Sequence, residues 1–372
     1  MQQKWWEINP DTLTDTPFLA IYSDRVRYNI EKLIESVNGD LTKLRPHVKT
    51  HKLGEILELF KTYGIDKVKC ATISEAELCA LHNIPDVLLA YQPASLLKQK
   101  RWLELLQTYP KINFSVIVDN FEVVDVLSKL GQDNDQTFKL YIDINTGMNR
   151  TGIDFRSDWE DLVRKIITMP NIHLLGIHIY DGHLHGTMEE RLDKASAVFS
   201  VIRDKLYFLK QELNVDLKIV AGGSGTFPFY AEQEGVECSP GTFVFWDINY
   251  QVNLPEQKFL PTAVLVGTVV SKPTGNTLCI DIGYKAVASE NPLDKRLTIL
   301  DDTHLIPVSQ SEEHMVLQNN GERQYQLGEI IYAVPYHICP TCALYETVQV
   351  VNVQQDIMDQ WTVLARKRKI NI

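Results

Sequence analysis

Residues 67–91 read KVKCATISEAELCALHNIPDVLLAY and contain one complete strand–helix–strand unit. The flanking runs Lys67–Ala71 and Val87–Tyr91 are short and apolar, and their length is that of buried strands. Ser74–His82 lies between them and places its apolar residues at helical spacing. Two strands joined by a helix in so short a segment predict a parallel βαβ unit.

The same alternation continues on both sides of this unit. Helical stretches separate the apolar runs, among them Leu53–Tyr63, Ala94–Thr108, Phe121–Leu130, Asp158–Met169 and Glu189–Leu213. Eight strand-like runs over roughly 250 residues predict an α/β fold of the (β/α)8 TIM barrel type. A doubly wound sheet is the alternative. The predicted strands are Leu44–Val48, Lys67–Ala71, Val87–Tyr91, Phe114–Val118, Phe138–Ile144, Leu174–Tyr180, Leu217–Ala221 and Thr242–Trp246.

The pattern changes after Asp247, where short β-rich runs are separated by turn signals such as Asn319-Asn-Gly321. We therefore predict a second, C-terminal all-β domain. The predicted divisions are residues 1–15, a segment packing with the β domain; residues 16–250, the barrel; and residues 251–372, the β domain. The predicted β runs are Ala263–Val270, Thr277–Ile282, His314–Leu317, Ile330–Val334 and Val348–Val353.

The composition is that of an ordinary globular protein with an acidic surface. The formal net charge is −11, which argues against a nucleic-acid partner and against anionic membranes. Met1–Pro10 has no apolar core of a secretory signal, and no run reaches the roughly 18 apolar residues of a spanning helix. The sequence predicts a cytoplasmic protein.

Polar residues follow the predicted strands at the end where barrels carry their reactive groups. Lys49 follows the first strand; a partly desolvated lysine there is a competent amine nucleophile, although a surface lysine in a loop is the alternative. Arg150 follows the fifth strand and would supply a cation at this end of the barrel. An arginine in a helix-capping loop is the alternative. Tyr180, His183 and His185 cluster after the sixth strand, a density that favours a polar site over isolated structural residues.

Gly222-Gly-Ser224-Gly225-Thr226 follows the seventh strand. Such a loop offers N–H and O–H donors to a phosphate, and barrels often bind phosphate after strands seven and eight. A plain turn is the alternative. Ser239-Pro-Gly241-Thr242 lies beside the eighth strand and offers further backbone donors.

His337 and Cys339 of the predicted β domain are two residues apart and would share one face of a strand. An imidazole and a thiolate suit Zn²⁺, although catalytic zinc usually has three protein ligands. The spacing Cys339-x-x-Cys342 also fits a redox pair, and plain packing of the β domain is a third interpretation.

These motifs together resemble the pyridoxal-phosphate enzymes with an alanine-racemase-like barrel, fold type III. Within them the sequence is most similar to the D-threonine aldolase and D-serine dehydratase group. The motifs that carry the resemblance are LRPHVKTHK at 44–52, Thr146-Gly-Met-Asn-Arg150, Tyr180-Asp-Gly-His183, Gly223-Ser-Gly-Thr226, Pro240-Gly241 and His337-Ile-Cys-Pro-Thr341.

The resemblance implies a role for each matched residue. Lys49 would form the Schiff base with pyridoxal 5′-phosphate, and Arg150 would bond the cofactor's phenolic oxygen. Tyr180 and His183 would line the ring and the substrate. A divalent metal, Zn²⁺ or Mn²⁺, would be held by His337 and Cys339. The phosphate would be held by Ser224, Gly225, Thr226, Gly241 and Thr242.

The resemblance also implies a reaction. The chain would be a homodimeric lyase acting on small D-3-hydroxy amino acids. The His-x-Cys form of the metal motif favours D-serine dehydratase-like loss of water, with retro-aldol cleavage as the alternative. A racemase would need a second base such as Tyr284 of a partner subunit, and Ser239 stands where alanine racemases carry an arginine. A non-catalytic pyridoxal-phosphate carrier is the remaining alternative; the additional β domain argues against it.

Overall fold

The computed structural model describes residues 4–372, which divide into two compact units. The barrel unit comprises Ile34–Lys49, Ile56–Gly241 and Lys367–Ile372. The β unit comprises residues 4–33, Thr50–Glu55 and Thr242–Arg366. The chain therefore passes repeatedly from one unit to the other. The predicted architecture, a β/α barrel with a C-terminal β domain, is confirmed; the β domain is mostly antiparallel and also contains the short helices Ile248–Asn253 and Ile338–Cys342.

The strands are numbered here along the chain. They are β1 (Phe18–Tyr22), β2 (Lys67–Cys70), β3 (Asp86–Leu89), β4 (Asn113–Val118), β5 (Phe138–Asn145), β6 (Ile153–Asp154), β7 (Ile172–Tyr180), β8 (Lys218–Ala221), β9 (Val236–Cys238), β10 (Ala263–Thr274), β11 (Thr277–Ile280), β12 (Leu297–Ile299), β13 (Leu305–Gln310), β14 (Met315–Asn319), β15 (Ile330–Pro335), β16 (Thr347–Val351) and β17 (Ile357–Thr362).

The helices are numbered in the same way. They are α1 (Ser23–Ser36), α2 (Gly54–Thr62), α3 (Ile73–Leu81), α4 (Leu96–Thr108), α5 (Phe121–Asn134), α6 (Glu160–Ile166), α7 (Met188–Leu213), α8 (Phe227–Ala231), α9 (Ile248–Asn253) and α10 (Ile338–Cys342). Side-chain caps explain several of their starts. Thr187 accepts the Glu190 amide in a capping box at the start of α7, and Thr72 accepts the Glu75 amide at the start of α3. Within residues 4–372, none of the helices is both long and apolar enough to cross a membrane.

The barrel unit contains a parallel sheet in the order β2-β3-β4-β5-β7-β8-β9, with the short β6 beside β5. The predicted first strand, Leu44–Val48, is wrong as a regular strand, but this first barrel segment closes the barrel between β9 and β2 through two isolated bridges. Leu44 forms a parallel bridge to Cys238 at one edge, and His47 forms one to Lys69 at the other. These two bridges connect the first and last strands of the sheet, so the carboxyl ends of all eight segments meet at one rim.

The last barrel strand differs from the prediction. The eighth strand is Val236–Cys238, and the predicted strand Thr242–Trp246 is wrong, because Thr242–Val244 forms a 3-10 turn. The apolar run at 242–246 is buried as a turn, whereas the true strand is only three residues long and carries a glutamate. Ser239-Pro-Gly241 therefore follows the eighth strand and lies at the same rim as the other strand ends.

The β unit is built around a sheet in the order β13-β14-β11-β10-β1-β16-β17, with β15 pairing β10 and β12. Strand β1 is antiparallel to β10 and parallel to β16, so it belongs to this sheet and not to the barrel, where the predicted boundary at residue 16 put it. The structure also groups residues 242–250 with the β unit and residues 367–372 with the barrel unit.

The N-terminal segment packs on one face of this sheet. Trp5, Trp6, Ile8 and Leu13 contact a core formed by residues of β1, β10, β15 and β16. Residues 1–3 of the predicted N-terminal segment lie outside the described residues.

Candidate active site

Lys49 lies where the first barrel segment ends. The chain there turns into a short 3-10 helix, Val48–Thr50, and the Lys49 amide donates to Nδ1 of His47 at 3.2 Å. The His47 amide donates to the carbonyl of Pro240 at 3.0 Å, so main-chain bonds to the loop after β9 hold this segment. Lys49 lines a cavity at this rim, but the residue is exposed, so the expected partial desolvation is wrong and the alternative of an exposed lysine describes it.

The cavity has a volume of about 650 Å³ and lies at the carboxyl ends of the barrel strands. Three predicted site residues line it, namely Lys49, Arg150 and Tyr180. Four cationic side chains, those of Lys49, Lys69, Lys98 and Arg150, line it as well, and none of its lining residues is acidic. In a chain of net charge −11 this is a locally positive site that suits an anionic ligand.

Tyr180 forms one wall of the cavity and is held from several sides. The Arg150 guanidinium lies 5.1 Å from its ring centroid. A Cβ on Gly182 would lie 2.2 Å from the Tyr180 hydroxyl, and one on Gly223 would lie 3.0 Å from the edge of its ring. Only glycine fits at Gly182, and the glycine loop after β8 therefore lies directly beside this ring.

A buried chain of polar side chains reaches the cavity from below. Lys69 of β2 lies with its Nζ 3.4 Å from Nε2 of His178, and Nδ1 of His178 is 2.8 Å from a carboxylate oxygen of Asp143. The other Asp143 oxygen accepts from Thr151 at 2.9 Å and from Gln92 at 2.8 Å. Sequence reasoning missed Lys69 and His178 as site residues.

Burial and neighbouring charges change the proton affinities of this chain. Burial, reinforced by the charge of Lys49, lowers the pKa of Lys69 to about 7. Burial and Lys69 lower the pKa of His178. Burial alone would raise the pKa of Asp143, but its contacts with His178, Thr151 and Gln92 together outweigh burial and lower it. The chain is therefore a carboxylate, a neutral imidazole and an amine that changes charge near neutral pH.

The predicted phosphate loop does not line this cavity, and its groups are partly engaged. The Thr226 hydroxyl donates to Asp181 at 2.5 Å, and its amide donates to the Gly223 carbonyl at 3.2 Å. The Gly225 carbonyl accepts from Arg191 at 3.1 Å. Burial raises the pKa of Asp181. The phosphate roles of Ser224, Gly225, Thr226 and Gly241 stay predictions.

Two observations show that this rim suits a phosphate-bearing cofactor. The hydroxyl of Ser239, between β9 and Gly241, is buried and has no hydrogen-bond partner among the described residues. A buried hydroxyl without a partner is unfavourable unless a ligand supplies one. In addition, the amine of Lys49 and the guanidinium of Arg150 open on the same cavity without an acidic lining residue. The residues present therefore fit pyridoxal phosphate.

His183, which the resemblance places beside the ring and the substrate, lies elsewhere. Neither His183 nor His185 lines the cavity. A Cβ on Gly147 would lie 3.2 Å from Nε2 of His183, so this imidazole packs against the loop after β5. Its Nδ1 is buried without a partner among the described residues. Its catalytic role stays a prediction.

The predicted metal pair lies in the β unit, at the start of helix α10 rather than in a strand. His337 is the N-cap residue of α10, and its side chain is hydrogen-bonded to that of Cys339. Nδ1 of His337 is 2.6 Å from the carboxylate of Glu290. Burial would lower the pKa of His337, but Cys339 and Glu290 outweigh burial and raise it to about 9.

Other groups of the β unit fix this motif. Sγ of Cys339 is 3.2 Å from the Thr50 hydroxyl and 3.9 Å from that of Thr242, the last of the predicted phosphate ligands. The buried Asp247 accepts the Ile338 amide at 3.0 Å. Over residues 4–372, no group of three or more His, Cys, Asp or Glu side chains forms a complete metal site. His337 and Cys339 thus offer two adjacent ligands, which suits a divalent metal only with further ligands from elsewhere.

A barrel that presents an amine in a cationic cavity at its rim, together with a separate β domain, defines the class of alanine-racemase-like folds. Residues 21–247 match the family described as "Alanine racemase, N-terminal domain", and residues 262–351 match "Putative serine dehydratase domain". The first match covers more than half of the chain. The chain therefore belongs to the alanine racemase N-terminal domain family, as its motifs predicted.

Named relatives extend this result. A D-threonine aldolase of Arthrobacter sp is 25% identical over 96% of this chain and 94% of its own length. A 3-hydroxy-D-aspartate aldolase of Paracoccus denitrificans (strain Pd 1222) is 24% identical over 89% and 87%. A D-serine dehydratase of Dictyostelium discoideum is 24% identical over 93% and 96%. The names of these relatives confirm the predicted enzyme class, a pyridoxal-phosphate-dependent lyase.

The solved structures agree on the fold. The crystal structure of D-threonine aldolase from Filomicrobium marinum superposes with a TM-score of 0.87 at 24% identity, covering 95% of each chain. The D-threo-3-hydroxyaspartate dehydratase from Delftia sp. HT23 superposes with a TM-score of 0.79 at 19% identity, covering 94% of this chain and 98% of that one.

Proposed function

We propose that this protein is a pyridoxal-phosphate-dependent lyase that removes water from a small D-3-hydroxy amino acid, giving a 2-oxo acid and ammonia. The observation that carries the proposal is the amine of Lys49 in a cavity lined by cations and by no carboxylate, in a chain of this family. An amine nucleophile and an anionic aromatic aldehyde are the two partners of a Schiff base.

Each residue of the cavity has a task in this proposal. Lys49 would hold the cofactor covalently and accept the substrate's α-proton when the substrate replaces it. Arg150, stacked on Tyr180, would bind the cofactor's phenolic oxygen, and Tyr180 would form a wall for its ring. When bound, pyridoxal phosphate supplies an electron sink for the bond that breaks at the α-carbon.

The phosphate would be held by the loops after the seventh and eighth strands. Ser224, Gly225, Thr226 and Gly241, with Thr242 next in the chain, are the predicted donors. The buried hydroxyl of Ser239 supports the proposal, because a phosphate oxygen would give it the partner it lacks. Without a ligand there, a buried hydroxyl of this kind costs about 1–3 kcal/mol.

A divalent metal, Zn²⁺ or Mn²⁺, would be held by His337 and Cys339 and would supply a Lewis acid. The hydrogen bond between the two side chains supports this pairing, because two ligands of one metal must also lie next to each other. We further propose a homodimer in the cytoplasm, with a small D-amino acid as substrate and neither nucleic acid nor membrane as a partner.

Retro-aldol cleavage to glycine and an aldehyde is the second candidate. The relatives named D-threonine aldolase and 3-hydroxy-D-aspartate aldolase favour it, whereas the His-x-Cys form of the metal motif favours dehydration. The products separate the two reactions. The test is incubation with D-serine, D-threonine and D-3-hydroxyaspartate. Without chelator, keto acid and ammonia should form; with chelator, their formation should be suppressed. Glycine plus an aldehyde would instead establish the aldolase.

The cofactor linkage has its own test. Borohydride reduction of the purified yellow protein, followed by peptide mass analysis, should find a pyridoxyl group on Lys49. Lys49→Ala should lose this adduct and all turnover. Lys129→Ala, an exposed lysine of α5 paired with Asp125, is the matched control and should behave as the unchanged protein. A pyridoxyl group on another lysine would refute the proposal.

A further inference from the structure

We propose that Lys69 is a second acid–base group of this site and donates the proton that the substrate's 3-hydroxyl needs in order to leave as water. The inference rests on the proposed dehydration and assigns a step that Lys49 does not perform. His178 and Asp143 are assigned as positioning residues behind Lys69.

The amine of Lys69 is buried but lies at the cavity. Lys69 lies within strand β2, only 2% exposed, yet it lines the same cavity as Lys49. It takes part in no salt bridge among residues 4–372, and the polar contact of its Nζ is with His178. An amine buried at such a cost without a carboxylate partner is poorly explained as a structural residue.

A hydrogen-bond chain lies behind the amine of Lys69. Asp143 contacts Nδ1 of His178, which assigns the imidazole proton to Nδ1 and leaves Nε2 as an acceptor facing Lys69. Thr151 and Gln92 hold the other Asp143 oxygen in place. The arrangement orients one N–H of a Lys69 ammonium toward His178, so that the others point away from this contact.

Neighbouring charges of both signs surround the amine of Lys69. Burial and the nearby Lys49 lower the pKa of Lys69 to about 7, Asp143 and Asp181 act in the opposite direction, and Arg45 acts with Lys49. Tyr180 faces the amine through its ring, 5.9 Å from Nζ. Both protonation states are therefore populated at neutral pH, which is the condition for efficient general acid–base catalysis.

The step balances as follows. The α-hydrogen passes to Lys49 as a proton, and its electron pair forms the Cα–Cβ double bond. The Cβ–O bond breaks with both electrons on oxygen, and that oxygen takes a proton from the Lys69 ammonium. Water and a neutral Lys69 amine result. Lys49 has gained one proton and Lys69 has lost one, so the elimination consumes no net proton.

Anchoring of the substrate carboxylate is the other task that a lysine in this cavity can perform. Arginine suits that task better, because it stays charged and binds carboxylates in a bidentate way, whereas a buried lysine releases its proton readily. The two tasks predict different behaviour for a substrate whose leaving group needs no proton. Chloride is such a group, and D-3-chloroalanine keeps the carboxylate of D-serine.

The experiment compares D-serine and D-3-chloroalanine as substrates of the holoenzyme and of Lys69→Met. Met has a similar volume and removes only the amine. Pyruvate formation from D-serine should fall about 100-fold or more, the range of general acid catalysis. Elimination of chloride should fall less than about tenfold. In D₂O, Lys69→Met should still exchange the α-hydrogen of D-serine, because that proton passes to Lys49.

Two further variants complete the test. Lys69→Arg keeps the positive charge but cannot release a proton, so it should be as slow on D-serine as Lys69→Met. Lys129→Met is the matched control and should leave both rates unchanged. Retention of the cofactor's absorbance band and a cooperative melting transition show that each variant is folded.

The outcomes separate this inference from the proposed function. Unchanged D-serine turnover in Lys69→Met, or equal losses for both substrates together with loss of α-hydrogen exchange, would overturn the role of Lys69 alone. Rescue of D-serine turnover by Lys69→Arg would establish a carboxylate anchor instead. If the unchanged protein binds no pyridoxal phosphate or forms no keto acid, the proposed function itself fails.

Discussion

Arg45 is a fully buried cation on the first barrel segment. It is 2.6 Å from a carboxylate oxygen of Asp86 and 2.6 Å from one of Glu237. Replacement by Met would leave the Asp86 carboxylate without this cation and would leave Glu237 paired with Lys67 alone. Breaking such a buried pair destabilises a protein by about 3–5 kcal/mol. We expect Arg45→Met to lower the free energy of unfolding in urea by that amount.

An exposed ion-pair network provides the control for this prediction. Arg164 lies 2.8 Å from Asp161 and 2.8 Å from Glu212 at the protein surface. Water screens such pairs, and they contribute little to stability. Arg164→Met should therefore change the unfolding midpoint little. Equal losses for the two arginine variants would contradict the argument from burial.

The lowered pKa of Lys69 predicts that the stability of the protein depends on pH. Its pKa in the folded protein is about 7, below its usual value of 10.5. Between these two values the unfolded chain binds one more proton than the folded chain, so the contribution of Lys69 to stability rises with pH. Lys69→Met lacks this contribution. We expect the unfolding free energy of Lys69→Met to exceed that of the unchanged protein by more at pH 6 than at pH 10. A difference between the two proteins that does not change with pH would show that Lys69 keeps its ordinary pKa.

The sequence predicts Lys49 more readily than Lys69, and the reason is physical. Lys49 follows an apolar run, where a strand must end. Lys67 and Lys69 alternate with Val68 and Cys70, a pattern that indicates a strand with one face in solvent. In the closed barrel that polar face points inward, and the single-sequence pattern does not distinguish the two cases. The glycine loop at 222–226, in contrast, is visible in the sequence from its glycines, and its phosphate role stays a prediction.

Strands β7 and β8 meet closely at Gly176, which is paired with Lys218. A Cβ at Gly176 would lie 1.9 Å from the Lys218 carbonyl oxygen, so an alanine would push two strands of the barrel apart. Overpacking against backbone costs about 1–3 kcal/mol or more. We expect Gly176→Ala to lower the thermal midpoint by several degrees.

The turn between β10 and β11 offers the matched control. Gly275 has no atom within 4 Å of the position of an added Cβ. Gly275→Ala should leave the thermal midpoint within about one degree, since surface substitutions away from special features change stability little. A similar decrease in both variants would mean that loss of glycine flexibility, and not the clash with Lys218, governs the result.

Most helices and strands are predicted from the sequence, and the strands that are not predicted have a common physical reason. Six barrel helices and six of the eight predicted barrel strands lie where periodicity places them, whereas Leu44–Val48 forms only isolated bridges and Thr242–Val244 forms a 3-10 turn. The β unit contains three strands that were not predicted, β12, β13 and β17. β12 has only three residues, β13 contains Pro307 and is largely exposed, and β17 has no buried residue. Such strands depend on pairing with distant neighbours, which leaves no hydrophobic pattern in the local sequence.

The segment Lys367–Ile372 returns to the barrel unit and docks on α3. The fully buried carboxylate of Glu77 accepts the Asn371 amide at 2.9 Å and the Ile372 amide at 3.2 Å. Arg101 donates to the Ile372 carbonyl at 2.7 Å. Removal of residues 367–372 would leave the Glu77 carboxylate buried without these donors. An unsatisfied buried group costs about 1–3 kcal/mol, and a charged group costs more.

The measurement is the urea midpoint of the shortened chain. We expect a decrease, and we expect Glu77→Met in the shortened chain to recover part of it, because the orphaned carboxylate is then absent. Glu58→Met, an exposed glutamate of α2, is the matched control and should recover nothing. An unchanged midpoint after shortening would show that the barrel unit does not depend on this docking.

The interleaving of the two units constrains how the chain can be recombined with its relatives. The chain crosses between units after Leu33, Lys49, Glu55, Gly241 and Arg366. A hybrid that took residues 251–372 from another member would pair a foreign β10 and β16 with the resident β1. Exchange of an intact β unit therefore requires replacement of all three chain segments that form it. Transfer of a C-terminal segment alone, as in the shuffling of terminal domains during evolution, does not exchange this unit.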